Sequence, residues 1–456
     1  MMKLWGLWLG PVVAILLGGV LNLQGSPPAA VWTASITALT ALWWIFEPIP
    51  IPATSLIPLA MFPLVGVLTP NEVGSAYGNE MILLLTGGFM LSSAMERSGT
   101  HRRIALGMVA LFGGNNGRRL VLGFMVASAV LSMWISNAAT SLMLLPIVVA
   151  VIEKVQDEKL SLALLLGYAY AASVGGIGTP IGTPPNLIFM QNYESLVGEE
   201  ISFLEWMSWT LPVVLVMIPI IWLWLTRRIE STTRIELPPV GDWRSEEKRT
   251  LTVFAATALF WITRSDPFGG WQELLNLPGA NDASVALLAV VALFLIPNGK
   301  GEQLLDWPTA VKIPWGVLLL FSSGIVIAKA FTKSGLSQEI GDQLASLSTL
   351  PIPLLIGLLC LVITFMTEVT SNTAIASLMM PILAATASST GIDPKLLMVP
   401  AALTASFAFM LPVATAPNAV VFSSGRVTVR QMASEGFVLN LVGVIVVTTY
   451  FSLVFG

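Results

Sequence analysis

The chain has 456 residues, 55% of them hydrophobic and 11% charged, with 22 Lys and Arg against 26 Asp and Glu for a formal net charge of −4. A soluble domain carries about 25% charged residues. This deficit, with a mean hydropathy of +0.81, requires many bilayer crossings and excludes a soluble enzyme, a single-span receptor and, since the apolar runs are continuous, a porin. The charge balance gives no footprint for nucleic acid. The single cysteine, Cys360, cannot form an intrachain disulfide, and the single histidine, His101, leaves no imidazole cluster for a metal.

Windows of about 17–25 apolar residues mark helical crossings. In chain order they fall near Trp5–Leu21, Ala29–Phe46, Ala53–Leu68, Glu80–Met95, Leu160–Ile181, Trp206–Leu225, Leu251–Ile262, Ala283–Ile296, Pro314–Phe331, Lys395–Leu411 and Phe437–Phe455. The first, preceded by Lys3, is read as an anchor rather than a signal peptide, because no small-residue cleavage site in a polar region follows it. Two stretches, Leu120–Ile152 and Pro351–Ala387, remain outside these eleven crossings. Leu120–Ile152 has 33 residues, too many for one crossing and too few for two, with charges on both flanks and S-N-A-A-T-S at Ser136–Ser141 in its middle. A pair of half-length helices entering and leaving on one side satisfies all three features. The second stretch repeats the design with T-S-N-T at Thr370–Thr373. Both are read as re-entrant hairpins, since unwound backbone at that depth needs protein or a water-filled cavity around it.

With the hairpins re-entrant, eighteen of the 22 basic residues fall on one side, leaving Arg264, Lys329, Lys333 and Lys395 elsewhere. The positive-inside rule then places the N-terminus in the cytoplasm and the C-terminus outside. No Asn-x-Ser/Thr sequon occurs and the outer loops are short, which favours a bacterial inner membrane. The two halves also repeat. Gly88–Gly99 matches Gly324–Gly335 at an offset of 236, Ser136-Asn137 with Pro146 matches Ser371-Asn372 with Pro381 at 235, and P-I-G-T-P-P-N from Pro180 matches P-V-A-T-A-P-N from Pro412 at 232. Five crossings separate the hairpins, so the copies face opposite sides. The expected fold is therefore all-α, an inverted-topology repeat with two helices broken at the midplane, the pattern of a secondary transporter.

The chemistry is expected at these repeated elements. Proline is welcome in a helix's first turn and not in its interior. One half-helix should therefore end near Gly182, with Thr183 capping a second that begins at Pro184. Thr415 should do the same ahead of Ala416. Each break leaves free carbonyls suited to a hard cation such as sodium and a positive helix start suited to a carboxylate. Asn137 and Asn372, at the tips, can serve both. Glu368 offers a cation ligand, a proton carrier or, preferably, an acceptor for the tip backbone. Lys329 is expected to snorkel from its helix, and His101 to share a solvated face with Arg102 and Arg103. The alternatives, that these polar residues only tie helices together or kink them, fit one element better than a doubled, inverted set.

The S-N-[AT] tips and the T-P-P-N and T-A-P-N breaks resemble the divalent anion/sodium symporter (DASS) family, with its INDY-type dicarboxylate transporters, over essentially the whole chain. The resemblance implies sodium-coupled transport of a succinate-like C4-dicarboxylate, citrate or sulfate, or sodium-independent exchange, by a homodimer working as an elevator. It implies scaffold helices at 1–112 and 236–345, and transport parts at 113–235 and 346–456. By position, one sodium site would use Ser132, Ser136, Asn137 and Gly182, and the other Thr367, Ser371, Asn372 and Ala414. The substrate would meet Asn137, Thr183, Asn372, Thr373 and Thr415. One departure stands out: Ala138 replaces the family's usual threonine at the first tip. An intramembrane enzyme would need a nucleophile–base pair, a metal set or two membrane aspartates, and a channel would not need doubled broken helices.

Overall fold

The computed structural model describes residues 2–112, 116–155, 157–229, 241–265, 269–344 and 350–455, and among these the regular elements are all helices. A proline-started or capped helix opens most segments. The first part holds α1 (Met2–Leu23), α2 (Pro28–Phe46), α3 (Ile51–Thr54), α4 (Leu56–Leu64), α5 (Pro70–Tyr77), α6 (Glu80–Ser98) and α7 (Thr100–Phe112). Next come α8 (Gly117–Ser132), α9 (Asn137–Val155), α10 (Glu158–Gly176), α11 (Pro184–Val197) and α12 (Phe203–Thr226). The second half begins with α13 (Ser245–Ile262), α14 (Gly270–Leu274), α15 (Asp282–Leu295), α16 (Trp307–Ala310), α17 (Trp315–Ser334) and α18 (Leu336–Leu344). It closes with α19 (Ile352–Thr367), α20 (Asn372–Thr390), α21 (Pro394–Thr404), α22 (Ala416–Ser423) and α23 (Val429–Val454).

Among the described residues, seven helices are individually long and apolar enough to cross a bilayer: α1, α2, α9, α12, α17, α20 and α23. Shorter apolar helices at 51–64, 282–295, 352–367 and 394–404 accompany them. The chain is a multi-pass membrane protein. Helices at its margin turn apolar side chains outward, as Trp5, Trp8 and Ile15 do on α1, where lipid rather than water is the solvent. The expected crossing Ala53–Leu68 is two short helices, α3 and α4, that part at Ser55.

Both expected hairpins are helix–turn–helix units, but their arms are not half-length: α8 and α19 have 16 residues each, and α9 and α20 have 19 and are each long and apolar enough to cross a bilayer. The turn 133–136 joins α8 to α9, and the turn 368–371 joins α19 to α20. Pro146 and Pro381 lie inside their second arms at matching positions. The expected broken helices are likewise present, as α10 with α11 and α21 with α22. The first break opens earlier than expected: α10 ends at Gly176, not near Gly182, and residues 177–183 are unwound.

The arginine-rich segment after α6 also differs from expectation. It is the helix α7, and His101 is buried in it with Nδ1 2.8 Å from the Met95 carbonyl oxygen. Arg103 is buried too, its Nε donating to Glu247 of α13 at 2.7 Å. His101 and Arg103 are held by these partners rather than solvated, while Arg102 is exposed as expected, and burial pushes the imidazole pKa below its usual value.

Candidate functional site

Each break is pinned by the asparagine that closes its motif. Asn186 Nδ2 donates to the carbonyl oxygens of Gly176 at 3.0 Å and Thr179 at 2.8 Å. Asn418 Nδ2 donates to those of Ala408 and Leu411, both at 3.0 Å. The partners correspond under the 232 offset, so the repeat extends to individual hydrogen bonds. Both asparagines are fully buried. A helix broken in the bilayer leaves carbonyls that water cannot reach, and a side-chain amide supplies the two missing donors. Sequence reasoning singled out the motif but not this role, although the sole asparagine of each P-x-[GA]-T-x-P-N element was the available signal.

The tips repeat a bond as well. Ser132 Oγ donates to Asn137 Oδ1, and Thr367 Oγ1 lies 2.6 Å from Asn372 Oδ1. Thr367 Oγ1 is also 2.8 Å from the Ala405 carbonyl oxygen. A hydroxyl has one proton for these two oxygens, so it can donate to only one of them. In the first half the oxygens crowd around a glycine. A Cβ on Gly182 would stand 2.4 Å from the Gly176 carbonyl oxygen and 3.0 Å from that of Ser132. A Cβ on Gly176 would stand 2.8 Å from Asn137 Oδ1. Ser132, Asn137 and Gly182 thus meet in one oxygen-rich nest. Ser136 is engaged otherwise, accepting from the Ala139 amide at 3.2 Å, whereas its counterpart Ser371 makes no such cap bond.

The two threonines of the breaks behave differently. Both stand at the N-cap in extended backbone. Thr415 accepts from the Asn418 amide at 3.3 Å, while Thr183 makes no side-chain cap bond. The expected capping role therefore holds for Thr415 alone, and the Thr183 hydroxyl is left for other work.

All five residues expected at the substrate line one cleft of about 590 Å³: Asn137, Thr183, Asn372, Thr373 and Thr415. Ser371 and Ala414 of the second cation set line it too, with Phe46 and Glu47 at the end of α2. Among the described residues Glu47 is the only charged side chain in the lining, and its backbone is left-handed with φ +47°. Four helices, α9, α11, α20 and α22, begin at or next to lining residues. Each helix start carries roughly half a positive charge. Sequence reasoning credited the two breaks with such starts, and the hairpin tips supply two more.

Glu368 does not serve the tip backbone. Its carboxylate accepts from the Met410 and Leu411 amides of the second break, both at 2.9 Å, and from Asn440 Nδ2 of α23 at 2.6 Å. Asn440 Oδ1 in turn accepts from the Phe409 amide at 3.2 Å. With its oxygens so occupied, Glu368 is a brace of the break and not a ligand facing the cleft.

A family model described as the sodium:sulfate symporter transmembrane region matches residues 2–455. The chain belongs to this family. A similar relative is the sodium-dependent dicarboxylate transporter SdcS of Staphylococcus aureus (strain NCTC 8325), 39% identical over 470 residues that span 98% of this chain and 90% of the relative. Among solved structures, the YdaH transporter of Alcanivorax borkumensis superposes with a TM-score of 0.59 at 14% identity, covering 86% of this chain and 88% of that one. MtrF of Neisseria gonorrhoeae gives 0.59 at 15% identity, covering 86% and 84%. At such identities these two speak for the fold alone.

Proposed function

We propose that this protein is a secondary active transporter that carries C4-dicarboxylate dianions coupled to sodium. The observation that supports this best is the electrostatic make-up of the cleft. Four helix starts and the side chains of Asn137, Thr183, Asn372, Thr373 and Thr415 converge there, and among the described residues no Lys or Arg lines it. Helix starts alone balance a dianion poorly against the nearby Glu47, so bound cations must complete the site. The oxygen nests behind the two tips are where we place them. Ser132, Ser136, Asn137 and Gly182 form one sodium site, and Thr367, Ser371, Asn372 and Ala414 the other. The name of the Staphylococcus relative agrees in both ion and substrate.

Eleven crossings with two re-entrant hairpins, the N-terminus cytoplasmic and the C-terminus outside, accommodate the charge bias of the loops. In that orientation the Glu47 end of α2, and with it the cleft mouth, faces the cytoplasm. The hairpins and broken helices (113–235 and 346–456) form the moving part of a homodimeric elevator, and 1–112 with 236–345 its scaffold. The inverted repeat supplies its two equivalent states.

The test is succinate binding to the purified protein in sodium and in choline buffers, paired with counterflow in proteoliposomes. Tight binding only in sodium is expected. Equal affinity in both, with counterflow that ignores sodium, would replace the symporter by a sodium-independent exchanger.

A further inference from the structure

A second cavity of about 850 Å³ lies away from the tips, lined by Lys329, Thr332 and Lys333 of α17, Gln191 and Ser195 of α11 and Ser388 of α20. It sits at the far end of α17 from the tip cleft. The start of α17 packs on α3, where a Cβ on Gly316 would meet Pro52 at 2.5 Å, a few residues beyond Glu47. Lys329 is thirteen residues further along, roughly 20 Å at 1.5 Å per residue. The cavity is therefore entered from the side opposite the tip cleft, between α11 and α20 on one wall and α17 on the other.

The charges of this cavity are unequal in their partners. Lys333 Nζ holds both carboxylate oxygens of Glu72, at 2.7 and 2.8 Å. That bond, with the Thr69 amide, pushes the Glu72 pKa down to about 2, so this pair stays neutral as a unit. Lys329 Nζ reaches only the hydroxyl of Ser75, at 3.1 Å. No carboxylate among the described residues lies within salt-bridge distance of it. The ammonium expected to snorkel thus brings an uncompensated positive charge to the cavity. Across from it, Gln191 is more than nine-tenths buried, donates to Ser195 Oγ at 3.0 Å and leaves its Oε1 without a partner. A wall of this kind is built to hold polar, hydrated contents.

We propose that this cavity is a second binding site for small dicarboxylate dianions, an outer vestibule in which Lys329 captures the substrate ahead of the tip cleft. The proposal rests on the dicarboxylate reading above. Among the described residues the tip cleft carries a carboxylate, Glu47, as its only charged side chain and this cavity an unpaired ammonium, so the two openings sort a dianion in opposite senses. An unpaired ammonium in the wall raises the local concentration of anions, an attraction that salt screens.

The experiment uses Cys360→Ser protein in proteoliposomes with Ser388→Cys as reporter. Its modification rate is compared for an anionic and a cationic methanethiosulfonate reagent. Lys329→Gln should lower the anionic-to-cationic rate ratio about tenfold, and Lys329→Arg should restore it. Succinate should slow modification by the anionic reagent even when Asn372→Ala has disabled the tip cleft. A ratio unmoved by Lys329→Gln would overturn the vestibule, as would succinate protection that vanishes with Asn372→Ala. If the dicarboxylate reading itself is wrong, succinate will fail to bind the otherwise unaltered protein in sodium, while the rate ratio still responds to Lys329.

Discussion

In the first half, the break is tied to the hairpin tip by a side-chain donor and a backbone acceptor: Thr179 Oγ1 donates to the Met133 carbonyl oxygen. In the second half, backbone donors meet a side-chain acceptor, as Met410 and Leu411 give their amides to Glu368. Met133 and Glu368 are counterparts under the 235 offset, and Thr179 and Leu411 under the 232 offset. The tip accepts and the break donates in both, but side chain and backbone have exchanged roles. The lengths of the breaks give the reason. The first is unwound over 177–183 and the second over 405–415, one helical turn longer. Unwinding a turn strands about four backbone groups that the helix would have paired. Glu368 and Asn440 between them take three of the freed amides. Duplication has kept the geometry and let the chemistry that satisfies it diverge.

The largest effect should come from removing the longer break's brace. Glu368→Ala leaves the Met410 and Leu411 amides and the Asn440 amide without their acceptor. Each buried donor so stranded costs about 1–3 kcal/mol, and several together approach the whole stability of a typical domain. We expect the variant to unfold well below the parent's midpoint in a thermal melt, or not to accumulate at all. Thr179→Val, which removes a single neutral bond, should cost about 1 kcal/mol and leave a folded protein. Equal losses in the two variants would mean that break length does not set the need for Glu368.

Next in size is the glycine of the first nest. Gly182→Ala would drive a methyl group to 2.4 Å from the Gly176 carbonyl oxygen and 3.0 Å from that of Ser132, into the space proposed for a cation. Position 414, its counterpart, already carries a methyl group at the cleft. We expect Gly182→Ala to abolish sodium-dependent succinate uptake and, because the atoms it meets are backbone, to lower the melting midpoint as well, and Ala414→Gly to retain most of the uptake. If Gly182→Ala transports normally, the first nest does not hold sodium.

Sequence pattern reaches as far as local chemistry is periodic or repeated. The tips and the breaks were legible because each polar motif recurs in an apolar run at a near-constant offset, which singles out Asn137, Thr183, Asn372 and Thr415, whereas Thr373 entered only through the family resemblance. Unwound lengths were not, since Gly175, Gly176, Gly178 and Pro180 all precede Gly182 as candidate stops and none of them alone marks the end of α10 at Gly176. There the Asn186 amide, ten residues away, makes unwinding tolerable. The partners of Glu368 were hidden for the same reason: Met410 and Leu411 offer only backbone, which every residue has. His101 was misplaced because its arginine neighbours suggest water, whereas its ring meets the Met95 carbonyl and the neighbouring Arg103 is drawn in by Glu247 of a distant helix. Four helix starts around one cleft follow only once both tips and both breaks are brought together in space.

The smallest effects test the one position where the tips differ beside their asparagines. Thr373 lines the cleft, while its counterpart Ala138 offers no hydroxyl and is not part of the lining. A hydrogen bond to a charged group contributes roughly 1.5–3 kcal/mol net, about ten- to a hundredfold in dissociation constant. Thr373→Ala should weaken succinate binding within that range, with an unchanged melting midpoint. Ala138→Thr should move affinity less and in the other direction, because water already bridging the gap would offset much of the gain. A fall in affinity for Ala138→Thr would mean that the first tip has closed over the missing group. Unaltered affinity in both variants would remove the substrate from between the tips, and the asymmetry of the two half-sites would then concern their bracing alone.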